Sequence, residues 1–128
     1  MSTVLLDTCT FIWLTASPKK LSAAAKKAID RTDTLLISDV TVLEICLKWR
    51  SGKLQLPNPP RSWVQEQAEI WKLNWLSLTR SHIFRASELE PMHQDPYDRL
   101  LVGQALEEQI KIVTPDEHIE RYPVATIW

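Results

Sequence analysis

The chain has 128 residues, the length of a single globular domain that buries a core without disulfides or metal staples. A hydrophobic content of 45% and a charged content of 24% indicate an ordinary soluble globular protein. With only two glycines, the sequence excludes Gly-rich phosphate loops and disfavours an all-β fold built on tight hairpins. The net charge of -1 gives no global electrostatic case for nucleic-acid binding, although a local basic face stays open.

The cysteines and the apolar segments bear on the cellular compartment. Cys9 and Cys46 lack metal-ligand spacing and lie in apolar contexts, so we expect buried free thiols in a reducing environment. No segment reaches the ~20 apolar residues needed to cross a bilayer, and the first residues lack the layout of a signal peptide. We therefore expect a cytoplasmic protein that does not contact a membrane.

Short apolar runs alternate with helical patterns along almost the whole chain. The apolar runs predict strands at 3–6, 34–38, 75–78, 111–114 and 124–127. The stretches between them predict helices at 22–31, 41–52, 60–73, 79–89 and 95–109, with a short helix after Asp116. This alternation predicts one α/β domain over residues 1–128, with a mostly parallel sheet of about five strands and helices on both faces.

Carboxylates stand at three of the predicted strand-to-helix junctions. Asp7 follows the first strand, Asp39 follows the second, and Asp116 comes just after the run at 111–114. Asp39 is also explained as a first-turn acid near the positive end of a helix dipole, and Asp116 as a turn or cap residue. In a parallel sheet, ligands bind at the carboxyl ends of the strands. The spacing therefore predicts that these carboxylates meet at one edge of the sheet.

Asp7 and Glu44 each have a purely local explanation as well. Asp7 would cap a helix that starts near Thr8. Glu44 stands three residues after Thr41, which is the spacing of a capping box. If the helix instead starts after Ser38, Glu44 lies in mid-helix, where an acid is expected only against a cavity.

The stretch HQDPYDRLLVGQALEE, residues 93–108, places two aspartates at the head of an apolar run. Asp95 before Pro96 is the expected N-cap followed by proline at the first helical position. Asp98 then falls at the third position, which the helix dipole favours for an acid. Local helix chemistry thus accounts for both aspartates.

Local chemistry does not account for the convergence of the acids. Four carboxylates are expected near one edge of the sheet, namely Asp7, Glu44, Asp98 and Asp116. Clustered carboxylates repel one another unless a cation compensates their charge. All-oxygen ligation favours Mg²⁺ or Mn²⁺ over Zn²⁺. His93 and His118 are near the acids in sequence, but two lone histidines do not make a zinc site.

Four stretches together resemble the PIN-domain ribonucleases, specifically the VapC-like toxins of type II toxin–antitoxin modules. They are VLLDTCTFIWL (4–14), ISDVTVLEICLK (37–48), HQDPYDRLLVGQA (93–105) and IVTPD (112–116). The resemblance covers essentially the whole chain, and its most specific part is the His-x-Asp-Pro-aromatic-Asp-Arg signature. It implies a parallel sheet flanked by helices, in a protein that is commonly dimeric.

The resemblance also assigns roles to individual residues. It implies a catalytic and metal-binding quartet formed by Asp7, Glu44, Asp98 and Asp116. Accessory roles fall to Asp95, Thr8, Thr114 and Arg99. Asp95 would act as a cap or support the site from behind, and Arg99 would position a phosphate or pair with an acid. Some relatives carry an acid or asparagine two residues after the last aspartate, where this chain has His118, so the number of metal ions stays open.

The activity implied by the resemblance is Mg²⁺-dependent hydrolysis of RNA phosphodiester bonds, with Mn²⁺ as a substitute. The RNA backbone would be held by a local basic rim, for which Lys48, Arg50 and Lys53 are the candidates. A small antitoxin would neutralise the enzyme by laying a helix over Trp13 and the first two helices. Most of the six tryptophans are otherwise interpreted as core or interface residues.

Two alternatives from other classes remain. A receiver or phosphatase-like domain would also gather aspartates around Mg²⁺, but no second acid adjoins Asp7 and no lysine follows the KIVTPD stretch. The sequence does not exclude a non-catalytic PIN-like module, which keeps the metal site for partner binding.

Overall fold

A computed structural model describes residues 2–128. Within these residues five strands form one sheet: β1 (Thr3–Leu6), β2 (Thr34–Ser38), β3 (Asn74–Leu76), β4 (Lys111–Val113) and β5 (Thr126–Ile127). Every pairing is parallel, and the strand order is β3-β2-β1-β4-β5. The predicted parallel sheet is confirmed, although β3, β4 and β5 are shorter than the apolar runs that suggested them.

Helices connect the strands. Over the same described stretch they are α1 (Thr8–Ala16), α2 (Ala23–Arg31), α3 (Asp39–Arg50), α4 (Pro60–Ile70), α5 (Arg80–Ser87), α6 (Pro96–Glu108) and α7 (Glu117–Glu120), with a 3-10 turn at Pro18–Lys20. None of these helices has the length and apolar character that a bilayer crossing requires. Ser22 and Thr79, the first residues of two predicted helices, are N-caps in the structure, and each accepts a hydrogen bond from a backbone N–H with its side-chain oxygen.

Four predicted helix boundaries were wrong by two or three residues: the start and the end of α3, the end of α4 and the end of α5. Helix α3 begins at Asp39 rather than Thr41, because Ser38 caps it by accepting a hydrogen bond from the Val40 N–H. Helix α4 ends at Ile70 rather than at residue 73, and Lys72 just beyond it has a φ of 54°, which breaks the helical path.

The core is divided into two layers by the sheet. Successive residues of β1 point to opposite faces. Val4 and Leu6 therefore pack with one apolar cluster, and Leu5 packs with the other. Leu5 and Leu6 have no exposed surface, and burying each such side chain stabilises the fold by about 2 kcal/mol. Helices thus cover both faces of the sheet, as the alternation of apolar runs and helical patterns predicted.

The order of the strands determines where a ligand would bind. The chain runs from β1 to β2 and β3 on one side, and then returns to place β4 and β5 on the other side. Strand order therefore reverses between β1 and β4, which pair directly. In open parallel sheets the crevice beyond such a reversal is the usual ligand site.

Helices α5 and α6 pack closely behind this edge. A Cβ on Gly103 would lie 2.7 Å from the His82 carbonyl oxygen and 2.9 Å from the Ala86 nitrogen, so only glycine fits there. The neighbouring Gln104 is fully buried. It accepts a hydrogen bond from the Ser38 hydroxyl at 2.5 Å and contacts His82 Nδ1 at 3.3 Å. Through these two contacts Gln104 joins α6 to α5 and to the cap of α3.

Candidate metal centre

An acidic cavity opens beyond the carboxyl ends of β1 and β4. Its volume is about 300 Å³. It is lined by Asp7, Thr8, Cys9, Ile12, Trp13, Glu44, Lys48, Asp95, Asp98 and Asp116. All four acids of the predicted quartet therefore face one cavity, together with Asp95 and Thr8. Asp39, the acid at the end of β2, is exposed and does not line it.

Three of the cavity acids are also helix caps. Asp7 begins α1 by accepting from the Thr10 N–H at 2.8 Å. Asp95 begins α6 by accepting from the Tyr97 N–H at 2.8 Å. Asp116 begins α7 by accepting from the N–H of the residue two positions later at 2.8 Å. The local explanations are confirmed, and the same caps still present the carboxylates to the cavity.

Glu44 is not explained by capping. Because α3 is capped by Ser38, Glu44 lies in mid-helix and is only 5% exposed. Its Oε2 accepts a hydrogen bond from Lys48 Nζ at 2.5 Å. Its Oε1 is buried and has no hydrogen-bond partner among residues 2–128. A buried carboxylate oxygen without a donor is costly, so this atom fits a site completed by a bound cation.

Asp7 is held in place by hydroxyl and amide donors. It is 3% exposed, and Thr114 Oγ1 donates to its Oδ2 at 2.6 Å. Burial raises the pKa of the Asp7 carboxyl, hydrogen bonds from Thr10 and Thr114 oppose that rise, and the charge of Asp116 adds to it. Thr114 therefore orients Asp7, whereas Thr8 contacts the hydroxyl of Thr41 at 3.0 Å.

Asp98 is paired with His93, which the sequence did not identify as a residue of the site. His93 Nε2 lies 2.9 Å from Asp98 Oδ2, and the His93 ring stacks on His118 with centroids 4.4 Å apart. Burial raises the pKa of Asp98 to about 7; the His93 bond opposes this rise, and the charges of Asp95, Asp116 and Glu44 add to it.

His93 also joins the tightest group of potential ligands. Within the described chain, one ligand atom each from His93, Asp95 and Asp98 lie within 4.8 Å of one another. The four acids of the predicted quartet do not all lie within this distance of one another among the described residues. Each acid of the quartet accepts a hydrogen bond from a donor of the protein. The signal for His93 was its place two residues before Asp95 in the quoted signature.

Three basic residues that were predicted to contact RNA or to support the site lie outside the cavity. Arg50 and Lys53 are exposed at the end of α3 and just after it, and neither lines the acidic cavity. Arg99 extends from α6 to the segment that follows α5. Its guanidinium donates to the carbonyl oxygens of Ala86, Leu89, Glu90 and His93 and to the Tyr122 hydroxyl. In this structure Arg99 therefore holds the loop that carries His93.

The two cysteines are free, as predicted, but each is half-buried rather than buried. Cys9 lines the acidic cavity, and burial together with the charges of Asp7 and Asp116 raises its pKa to about 11. A thiol with so high a pKa carries almost no thiolate at neutral pH. The oxygen-rich donor set, not this sulfur, is what could hold a divalent ion such as Mg²⁺.

Residues 4–125 match the sequence profile of the PIN domain. The chain belongs to the PIN domain family. It is 33% identical over 132 residues to Ribonuclease VapC22 of Mycobacterium tuberculosis, and the match covers 100% of both chains. The family resemblance inferred from the four sequence stretches is thereby confirmed.

Solved structures show the same PIN fold. DNA-bound VapBC from Salmonella typhimurium superposes with a TM-score of 0.71 at 20% identity, covering 98% of this chain and 97% of that one. VapBC2 from Rickettsia felis, bound to a promoter DNA fragment, gives 0.69 at 15% identity, covering 97% and 96%. At these identities the likeness is one of fold.

Proposed function

We propose that this PIN domain is a metal-dependent ribonuclease and the toxin of a toxin–antitoxin module. The observation that carries the proposal is the buried Glu44 Oε1, which has no donor among residues 2–128 although it lies in a cavity lined by four further acids. The relative named Ribonuclease VapC22, matched over its full length, supports RNA as the substrate. Mg²⁺ is the proposed metal, with Mn²⁺ as a substitute, because the donors are almost all oxygen.

The proposed catalytic quartet holds the metal with four carboxylates: Asp7, Glu44, Asp98 and Asp116. A divalent ion bound there would lower the pKa of a water molecule and offset charge on the scissile phosphate. Thr114 and His93 fix the orientation of Asp7 and Asp98 through the bonds described above. No nucleophilic side chain is needed, since a water molecule would attack the phosphorus, the P–O bond to one ribose oxygen would break, and that oxygen would take up a proton.

The RNA backbone is proposed to enter along the basic end of α3. Lys48 lines the cavity itself, and the exposed Arg50 and Lys53 extend this positive surface away from it. Contacts of this kind recognise phosphate rather than sequence, so binding should weaken as salt rises.

We propose two protein partners, a small antitoxin and a second copy of the chain. Trp13 forms an apolar wall of the cavity and packs on Trp128 with centroids 5.7 Å apart, which supports the antitoxin surface predicted over Trp13. Ile83 and Phe84 of α5 are 44% and 63% exposed, which supports a homodimer through that helix. A cytoplasmic location would suit both the RNA substrate and the two free thiols.

The test is cleavage of unfractionated cellular RNA with Mg²⁺ or Mn²⁺ by the wild type, Asp7→Asn and Asp98→Asn. We expect each variant to lose ~100-fold or more of the activity, because a ligand charge is lost at the metal. Asn caps a helix about as well as Asp, so Asp7→Asn should remain folded.

Asp39→Asn is the matched control, since it removes an exposed acid that does not line the cavity, and it should cleave like the wild type. Equal activity in the wild type and both cavity variants would refute a metal nuclease. A wild type that binds Mn²⁺ but cleaves no RNA would instead favour the non-catalytic PIN-like module.

A further inference from the structure

Lys48 is the cation that the acidic cavity already contains. Among residues 2–128 it is the one basic side chain that lines the cavity. It lies one helical turn after Glu44 on α3, and its Nζ is 2.5 Å from Glu44 Oε2. We propose that Lys48 competes with the metal ion for Glu44 and thereby sets the metal affinity of the site. This inference rests on the proposed function, since it concerns the same centre.

The exposure of the two side chains supports an exchange rather than a permanent pair. Glu44 is fixed, with 6% of its side chain exposed, whereas 46% of the Lys48 side chain is exposed. A lysine stem has four flexible carbons, so the ammonium can move into water while the carboxylate stays in place. Removal of the ammonium would leave Glu44 buried with both oxygens free for a metal ion.

The charges indicate the direction of the effect. An ammonium and a divalent cation at the same carboxylate repel each other, and the repulsion is strong in a partly buried site. In the metal-free protein the ammonium also offsets the field of the acids, because Asp95 and Asp98 both act on Lys48. A metal ion must therefore overcome the stabilisation that Lys48 gives to the empty site.

A purely structural role for the ion pair would have the opposite consequence. If Lys48 only oriented Glu44 toward the metal, its loss would let the carboxylate turn away and would weaken metal binding. The sign of the change in metal affinity thus distinguishes competition from orientation.

The experiment is a Mn²⁺ titration, with free Mn²⁺ measured by electron paramagnetic resonance, on the wild type, Lys48→Met and Lys48→Arg. We expect Lys48→Met to bind Mn²⁺ about tenfold more tightly, because a nearby positive charge is lost. Lys48→Arg keeps that charge and should stay close to the wild type. Lys53→Met is the matched control, since it removes an equal charge from a lysine outside the cavity, and its Mn²⁺ affinity should not change.

Circular dichroism in chelator checks that each variant is folded. If Lys48→Met fails to fold, Lys48→Gln replaces it, because glutamine can still donate to Glu44 without a charge, and tighter binding is again expected. Unchanged or weaker Mn²⁺ binding by the folded variant overturns the competition and leaves the proposed metal centre standing. A wild type that binds no Mn²⁺ overturns the proposed function and this inference together.

Discussion

The contact between α5 and α6 and the acidic cavity differ in how completely their buried polar groups are hydrogen-bonded. At the contact, Gln104 is fully buried and hydrogen-bonded to Ser38, and His82 Nε2 meets Glu108 at 2.9 Å. In the cavity, one oxygen of Glu44 has no donor within the described part of the chain, and burial raises the pKa of Asp98. The first region contributes stability, and the second gives up stability that a bound cation can restore.

The largest effect is expected at the close-packed contact, from Gly103→Ala. A Cβ there would lie 2.7 Å from the His82 carbonyl oxygen, which is backbone and cannot move without displacing α5. We expect a loss of about 3 kcal/mol in the free energy of unfolding, measured by urea denaturation.

Gly52→Ala is the control for this substitution, because a Cβ at Gly52 meets nothing within 4 Å although the φ of 80° strains it. Its expected cost is only about 1 kcal/mol. If Gly103→Ala cost no more than Gly52→Ala, the tight packing of the two helices would not be a source of stability.

The next effect is expected in the cavity, where stability should depend on pH. The pKa of Asp98 is raised to about 7 in the folded protein, against about 3.9 in an unfolded chain. Between these values the folded form holds a proton that the unfolded form has released, so stability falls as the pH rises from about 4 through about 7. Without metal, we expect unfolding at pH 8 to require about 1–2 kcal/mol less than at pH 5, since water screens part of the penalty.

Urea denaturation in chelator at both pH values measures this difference, and Asp98→Asn supplies the control. Asparagine cannot ionise, so the variant should have a flatter pH dependence and greater metal-free stability at pH 8. An identical pH dependence in both proteins would show that Asp98 does not carry the effect.

The smallest effect is expected from a charge pair on the surface of the packed region. Arg85 of α5 contacts Glu107 of α6 at 3.3 Å, and both side chains are partly exposed. We expect Glu107→Ala to change the free energy of unfolding by less than ~0.5 kcal/mol. Glu108→Ala is the comparison, because it leaves buried His82 Nε2 without its partner and should cost about 1 kcal/mol. Thermal denaturation of the two variants side by side would reveal any reversal of this order.

Much of the fold could be predicted because the sequence patterns that specify its helices and strands span only a few neighbouring residues. The caps at Ser22, Thr79 and Asp95 are each identified within a few residues, and the apolar runs mark the strands. The start of α3 could not be fixed in this way. Ser38 and Thr41 are both of residue types that cap helices, and only the structure shows that Ser38 is the cap, with a hydroxyl that also bonds to Gln104 of the distant α6.

The candidate site could likewise be predicted only where its features depend on local patterns and on strand topology. Its acids were predicted because parallel strands bring their carboxyl ends to one edge. The stacking of His93 on His118 was not predicted, since it depends on where a loop places a ring against a distant helix. The pairing of Lys48 with Glu44 has the i,i+4 spacing of a helical ion pair, so the signal was present although Lys48 was assigned only to RNA.

The double use of Asp7, Asp95 and Asp116 as helix caps has an evolutionary consequence. An aspartate codon becomes an asparagine codon by a single nucleotide change, and asparagine caps a helix as well as aspartate does. Each such change would remove a charge from the cavity and still keep the helix start. A lineage could therefore lose the chemistry of this centre through a few such changes without losing the fold.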